Sequence, residues 1–509
     1  MRVIKLPEMV LKERSAVVEY LIDNHFNDIV DKIEKMKQAE HSRNPSYAPL
    51  LRPRLWNETL SDGITNILQD LTKFAILSHA WEHGNEPSYE DFRQKRNLHL
   101  RGYKKLQDFS NIAYQQYGAK FAWADTVCID SSSSSELDES IRSMFAWYHA
   151  SSICIIYVGG TLSLYDLPFD RWFTRGWTLQ ELLAPLRIKF YNKNWHPITD
   201  FPNDKIDTKE MEGFREPEYS LQFHLLGDAV LAATGINMNH IRTFKPGFHE
   251  PPLPERMRWI SRRDTTRAED KSYSMMGIFG VSISVAYGEG AERAFFRLFK
   301  AIFEVDYSLS WFLWTGKPLP SHIHPSRMIP SSAECYAFWQ PEFERAVHAQ
   351  RRLPISLTNI GLPMEILVVP AKLDYPRSKS IILPVPEEPC VITCPLSDDS
   401  FDTADIPHAW GGWDEFALGI LNASPETARN PSLVYAILLC RHYLVDGDEY
   451  TGWKRCETNE TIFFRLKKQF REVAMKDWTT VGISRREVGW EHQHGEASDP
   501  TIKFQTLYL

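Results

Sequence analysis

Apolar and polar positions alternate with two different periods along this chain, and the switches between them mark out its elements. From Ser15 to about Lys37, Val18, Leu21, Ile22, Phe26, Ile29, Val30, Ile33 and Met36 recur at spacings of three and four, which predicts an amphipathic helix. Residues 41–54 carry Pro45, Pro49 and Pro53 and read as a linker, and a short helical pattern runs from Ile64 to Leu71. Continuous apolar runs then take over. Phe74–Ser78, Phe121–Asp130, Ile153–Val158 and Arg187–Tyr191 predict buried strands, separated by helical patterns at Lys105–Tyr117, Glu136–His149 and from Thr178 to Ala184. Five serines, 131–135, form a polar turn between the second strand and its helix. Alternation of strand and helix is the grammar of an α/β sheet with parallel strands, whose ligands bind beyond the carboxyl ends of the strands.

Past Glu304 the pattern changes again. Prolines and aromatics crowd residues 306–341, followed by short runs at Pro354–Leu357, Met364–Val369, Ser380–Val385, Phe416–Leu421 and Leu433–Leu439. These predict a β-rich C-terminal domain. The expected organisation is a helical extension and linker at 1–72, the α/β domain at 73–305, a connector at 306–350 and the β-rich domain at 351–509.

A net charge of −8 over 509 residues gives no global attraction for nucleic acid or an anionic membrane. There is no apolar span long enough to cross a bilayer, and Pro7, Glu8, Lys12 and Glu13 break the N-terminus where a signal peptide needs an apolar centre. The seven cysteines contain no CxxC pair, so a reduced, cytoplasmic setting is expected. Cys390, Cys394, Cys440 and His442 have the elements of a zinc site without its paired spacing, which favours unrelated strand cysteines and no metal.

Chemistry concentrates at the strand ends. Ser78, His79 and Trp81 follow the first strand, Asp125 and Asp130 accompany the second, and Trp172, Arg175, Trp177 and Glu181 follow the third. Topology gathers them around one crevice. Thr178-Leu179-Gln180-Glu181 has the spacing of a capping box, so Glu181 either caps a helix or does chemistry. Thr266-Arg267-Ala268-Glu269 has the same spacing and predicts a helix reaching Phe279. Gly288-Glu289-Gly290 lacks the spacing of a phosphate loop and reads as a helix-entry turn before Ala291–Phe303. Cys128 with His79 and Asp125 makes a rival nucleophile constellation, although a cysteine in an apolar strand has nothing beside it to lower its pKa. Trp172 and Trp177 are placed either as packing residues or as platforms for a planar base, and Asp125 and Asp130 as ligand groups or as braces of the serine turn.

The ordered motifs FAILSHAW, WADTVCID, SMFAWYHASSICIIYV and RWFTRGWTLQELLAP, with the later block from Arg256 to Leu298, resemble the fungal heterokaryon incompatibility (HET) domain. Ala124 and Val127 depart from its common pattern. The resemblance implies a part in self/non-self recognition and regulated cell death, with an incompatibility partner protein of unknown identity. More remotely, WTLQEL resembles the WCxxEL-like motif of TIR domains, with Thr178 in the place of Cys. That likeness implies a TIR-like, flavodoxin-like parallel sheet, self-association when active, and hydrolysis of the nicotinamide ribosidic bond of NAD or a related nucleotide. Glu181 is then the catalytic carboxylate, with Ser78, His79, Trp81, Asp125, Asp130, Trp172, Arg175 and Trp177 around the substrate. NAD enters as substrate, and no cofactor is expected. The alternative is a non-catalytic signalling scaffold.

Overall fold

The computed structural model describes residues 1–43, 73–206, 217–247, 251–306 and 309–339, and in the C-terminal part 357–358, 361–374, 380–383, 390–393, 415–421, 434–441, 454–458, 462–464 and 503–508. The short helix expected at 64–71 lies outside these residues, as do Cys394, His442 and nearly all of the strand expected at 354–357. The chain divides into two compact units, one of residues 1–247, 263–266 and 273–285, the other of 248–262, 267–272 and 286–509.

The first unit is built on a six-stranded sheet: β1 (Val3–Lys5), β2 (Val10–Lys12), β3 (Phe74–His79), β4 (Phe121–Trp123), β5 (Ile153–Tyr157) and β6 (Ile188–Tyr191), in the order β2-β1-β4-β3-β5-β6. β3 pairs parallel with both β4 and β5, and β5 parallel with β6. The expected parallel core is therefore present. Its strands are apolar without alternation because both faces are covered: Ala75, Ile76, Leu77, Ala122, Trp123, Cys154, Ile155 and Ile156 are all fully buried.

The chain leaves β3 for β4 on one side and returns past it to β5 on the other. β3 is thus the point at which the crossovers reverse direction, where α/β sheets place their ligands. The crossovers are α2 (Arg101–Tyr117), which buries Leu106, Phe109 and Ala113, and α3 (Ser134–Ala150), which buries Ile141, Met144, Phe145 and Tyr148. Opposite crossover directions with a common right hand put these helices on opposite faces of the sheet.

Two expectations are corrected. The N-terminal residues are not solely helical: before α1 (Arg14–Arg43), β1 and β2 form a hairpin whose β1 pairs antiparallel with β4 and extends the sheet edge. The second strand is also shorter than its apolar run. It stops at Trp123, because the Asp125 carboxylate accepts the Thr126 amide at 2.8 Å and the Cys128 amide returns to the Ala124 carbonyl at 2.9 Å, turning Asp125–Cys128 into one helical turn. The serine turn forms as expected: Asp130 accepts both the amide and hydroxyl of Ser132, and Ser133 caps α3.

In the second unit the helices Leu253–Ser261 and Ala291–Phe303 precede a segment, 309–339, that buries Trp311, Trp314, Tyr336 and Trp339. The helix expected from Thr266 to Phe279 is instead two separate turns, Asp270–Tyr273 and Met276–Phe279. Glu269 does not cap it, since its carboxylate accepts the amides of Gly288 and Gly290 at 2.9 and 3.2 Å. The glycine turn therefore already holds an acid from its own chain. Among the described C-terminal residues, Pro363–Asp374, Glu415–Ile420 and Val434–Arg441 pair antiparallel, and shorter strands flank them.

Candidate functional site

Three segments converge beyond the carboxyl ends of β3, β4 and β5. The first is the end of β3 itself. Ser78 is fully buried, and its hydroxyl donates to Glu181 Oε2 at 2.5 Å while accepting the Trp172 indole N–H at 2.7 Å. A single hydroxyl thus joins a strand end, a loop and a helix.

The loop after β5 is held by Asp170. One of its carboxylate oxygens accepts the Gly160 amide at 2.8 Å and the Thr161 hydroxyl at 2.9 Å, and the other accepts the Trp172 amide at 2.9 Å. Trp172 is completely buried, edge-on to Phe173 and Phe190. Its ring packs among these aromatics, and its indole N–H positions the Ser78 hydroxyl.

Helix α4 (Thr178–Leu183) follows, but it has no side-chain cap. The Thr178 hydroxyl turns back to the carbonyls of Trp172 at 2.6 Å and Arg175 at 2.9 Å, and Glu181 turns to Ser78. The capping-box reading of Glu181 is overturned, because tertiary partners outcompete the local backbone amides. Arg263 reinforces the arrangement: this fully buried guanidinium donates to the Arg175 carbonyl and the Thr178 hydroxyl, both at 3.0 Å. Close by, Gly176 donates its amide to the Asp264 carbonyl, and a side chain at Gly176 would strike Thr265.

Glu181 is 5% exposed. Burial pushes its carboxyl up, and the neighbouring Asp125 pushes it further, to about 8; the Ser78 and Tyr148 hydroxyls and the Arg175 charge hold it down only partly. At neutral pH this carboxyl is mostly protonated. The Tyr148 hydroxyl donates to the Leu77 carbonyl at 3.0 Å and so braces the end of β3.

Asp125 stands nearer to solvent, its side chain 21% exposed. It accepts the Trp81 indole N–H at 2.9 Å and lies 3.4 Å from His79 Nε2. Trp81 is 46% exposed, whereas the His79 ring is buried. The other His79 nitrogen faces Glu86 at 3.6 Å, and Glu86 is ion-paired with Lys105.

Of the expected site residues, Ser78, Trp172 and Glu181 form one hydrogen-bonded unit, and His79, Trp81 and Asp125 a second whose charge acts on the first. Asp130 belongs to neither, since it braces the serine turn. Arg175 contributes its charge to Glu181 and its guanidinium to Thr266. Trp177 is half-buried at the start of α4. The rival thiol nucleophile is excluded, because Cys128 sits buried in the turn after β4 with its thiol pushed up to about 12, chiefly by burial. Among the described residues no group of three or more His, Cys, Asp or Glu is placed to hold a metal ion.

Tyr148, Asp170, Glu86, Lys105 and Arg263 escaped the sequence reading. Asp170 carried a signal, an aspartate at the entry to a helical turn. Tyr148 looked like one more apolar position of an amphipathic helix, and nothing in Arg262-Arg263 tells which arginine is buried.

Residues 74–170 match the family model described as heterokaryon incompatibility protein (HET). Glu181 lies just past the matched residues. The chain is also 35% identical over 249 residues to the vegetative incompatibility protein HET-E-1 of Podospora anserina, a match covering 47% of this chain and 16% of that protein. No solved structure matches. The chain thus carries a segment similar to the HET domain, on the sheet that begins at Phe74.

Proposed function

We propose that this protein is an effector of incompatibility-type regulated cell death whose HET domain, TIR-like in its parallel sheet, hydrolyses the nicotinamide ribosidic bond of NAD or a related nucleotide. The observation that carries the reading is Glu181: a carboxyl with no local capping partner, held by Ser78 and raised to about 8 beyond the strand ends. Structural carboxylates are seldom raised this far, whereas sites that exchange protons or stabilise cations are built this way. Arrival of a cationic substrate lowers the pKa of a nearby carboxyl. Ionised Glu181 then faces the oxocarbenium-like ribose formed as nicotinamide departs with the bonding electron pair, as carboxylates do in glycoside hydrolysis.

The match to a family model named for incompatibility, and a relative so named, support the biological role. No described helix is long and apolar enough to cross a membrane, and we place the activity in the cytoplasm. In this reading the antiparallel strands after Leu362 receive the incompatibility partner.

The test is incubation of the full chain with NAD over a range of protein concentrations, with detection of free nicotinamide. Activity per molecule rises with concentration if self-association completes the site, and Glu181→Gln lowers turnover by about 100-fold or more, the usual loss for one electrostatic stabiliser. Absence of nicotinamide release at every concentration defeats the reading.

One observation favours a second reading, a non-catalytic scaffold: Glu181 is almost sealed, while Leu162, Tyr165 and Phe169 stand exposed on the loop after β5. Exposed apolar side chains on an ordered loop suit self-association. Under this reading Glu181→Gln leaves signalling intact.

A further inference from the structure

We propose that Asp125 and Trp81 form the recognition site for a planar organic cation of the N-alkylpyridinium type. The proposal rests on the hydrolase reading for the identity of that cation.

The first observation is charge without compensation. Several carboxylates of this unit have a cation beside them: Glu86 with Lys105, Asp204 with Lys189, Asp138 with Arg142. Asp125 has no lysine or arginine within 4 Å among the described residues, only His79 at 3.4 Å. A half-buried carboxylate without such a cation is costly, and a bound cation removes that cost.

The second is how Asp125 is held. Its oxygens accept the Trp81 indole N–H and the Thr126 amide, two neutral donors that aim the carboxylate without cancelling its charge. Beneath it lies His79, 1% exposed in its side chain, with neither ring nitrogen hydrogen-bonded. Buried polar groups are rarely left so, and His79 Nε2 lies 3.4 Å from the same carboxylate.

The third is access and shape. Trp81 and Asp125 are partly open to solvent, while Ser78, Trp172 and Glu181 are buried, so an incoming molecule meets the former pair first. A metal ion gains nothing from an indole and finds no three-ligand group among the described residues. A flat cation gains both the indole face and the carboxylate joined to its edge.

Calorimetric titration of the full chain with 1-methylnicotinamide, a pyridinium cation, and with nicotinamide, its neutral counterpart, tests the site directly. The wild type binds the cation about tenfold or more tightly, the strength of a good indole–cation contact with a carboxylate beside it. Asp125→Asn keeps an acceptor for the Trp81 N–H, yet brings the two affinities together, while Glu181→Gln retains the preference for the cation. Equal binding of both compounds by wild type, or a preference unchanged in Asp125→Asn, overturns the proposal; the wild-type comparison stands even where a variant folds poorly. A cation preference without nicotinamide release from NAD leaves this site standing and removes the hydrolase reading, and release from NAD without a cation preference does the reverse.

Discussion

Ser78 donates its hydroxyl to Glu181 at 2.5 Å across 103 positions of sequence, and both residues are buried. The contact ties the end of the central parallel strand to the helix that carries the candidate carboxylate. Because the same hydroxyl accepts the Trp172 indole N–H, it is the shared partner of two groups that solvent does not reach.

Ser78→Ala removes a donor from Glu181 and an acceptor from Trp172 at once. Each buried group left without a partner costs about 1–3 kcal/mol, so the variant loses ~2–4 kcal/mol of stability in urea unfolding. Loss of that hydrogen bond also raises the Glu181 carboxyl further, since the Ser78 hydroxyl holds it down. Unfolding free energies within about 0.5 kcal/mol of wild type would contradict the buried geometry.

Thr178→Ala is more damaging than the loss of a helix cap. Its hydroxyl serves two carbonyls and the buried Arg263 guanidinium, and hydrogen bonds to charged groups contribute about 1.5–3 kcal/mol. Thr178→Ser keeps the hydroxyl and retains most of the stability. Chemical denaturation of the pair reads the difference: equal losses would mean that the methyl group, not the hydroxyl, is what matters.

The parallel core was legible because doubly covered strands must be apolar throughout, as Ala75-Ile76-Leu77 and Ile153–Ile156 are. Strand-end placement of Ser78, His79, Asp125 and Glu181 followed from topology. What local pattern could not show is competition between near and distant partners. Thr178 and Glu181 have capping-box spacing, yet both side chains find tertiary partners, Glu181 one 103 positions away. Likewise the run through Cys128 reads as one strand until the Asp125 carboxylate closes on its neighbouring amide. The β1–β2 hairpin, three residues per strand, is too short for any period to register.

Cys128 is expected to be inert. Its thiol is buried and pushed up to about 12, so the thiolate fraction at pH 8 is negligible. Iodoacetamide should modify Cys128 only on the timescale of unfolding, with the modified peptide located by mass spectrometry. Fast labelling of Cys128 in the native protein would restore the thiol nucleophile.

Glu181 also makes stability depend on pH, with a definite sign. Its folded pKa of about 8 lies above the ordinary value of 4.5, so the folded protein holds a proton that the unfolded chain releases. The stabilisation is complete below pH ~4.5 and is lost as pH rises toward about 8, at a rate approaching ~1.4 kcal/mol per pH unit for one proton. Lys205 works the other way: burial lowers its pKa to about 7, so its contribution grows only as pH rises from about 7 toward its ordinary 10.5. Between pH 5 and 7 Glu181 therefore acts without that opposition. Glu181→Gln cannot titrate, and subtracting its unfolding free energies from those of the wild type cancels Lys205 and every other group the two share. The wild type should lose stability relative to Glu181→Gln steadily from pH 5 to 8. Asp125→Asn should move that loss to lower pH, because Asp125 is, after burial, the next cause of the raised carboxyl. A wild-type minus Glu181→Gln difference that stays flat across this range would mean that Glu181 is ionised in the folded protein, and its carboxylate would then need a cation beside it already.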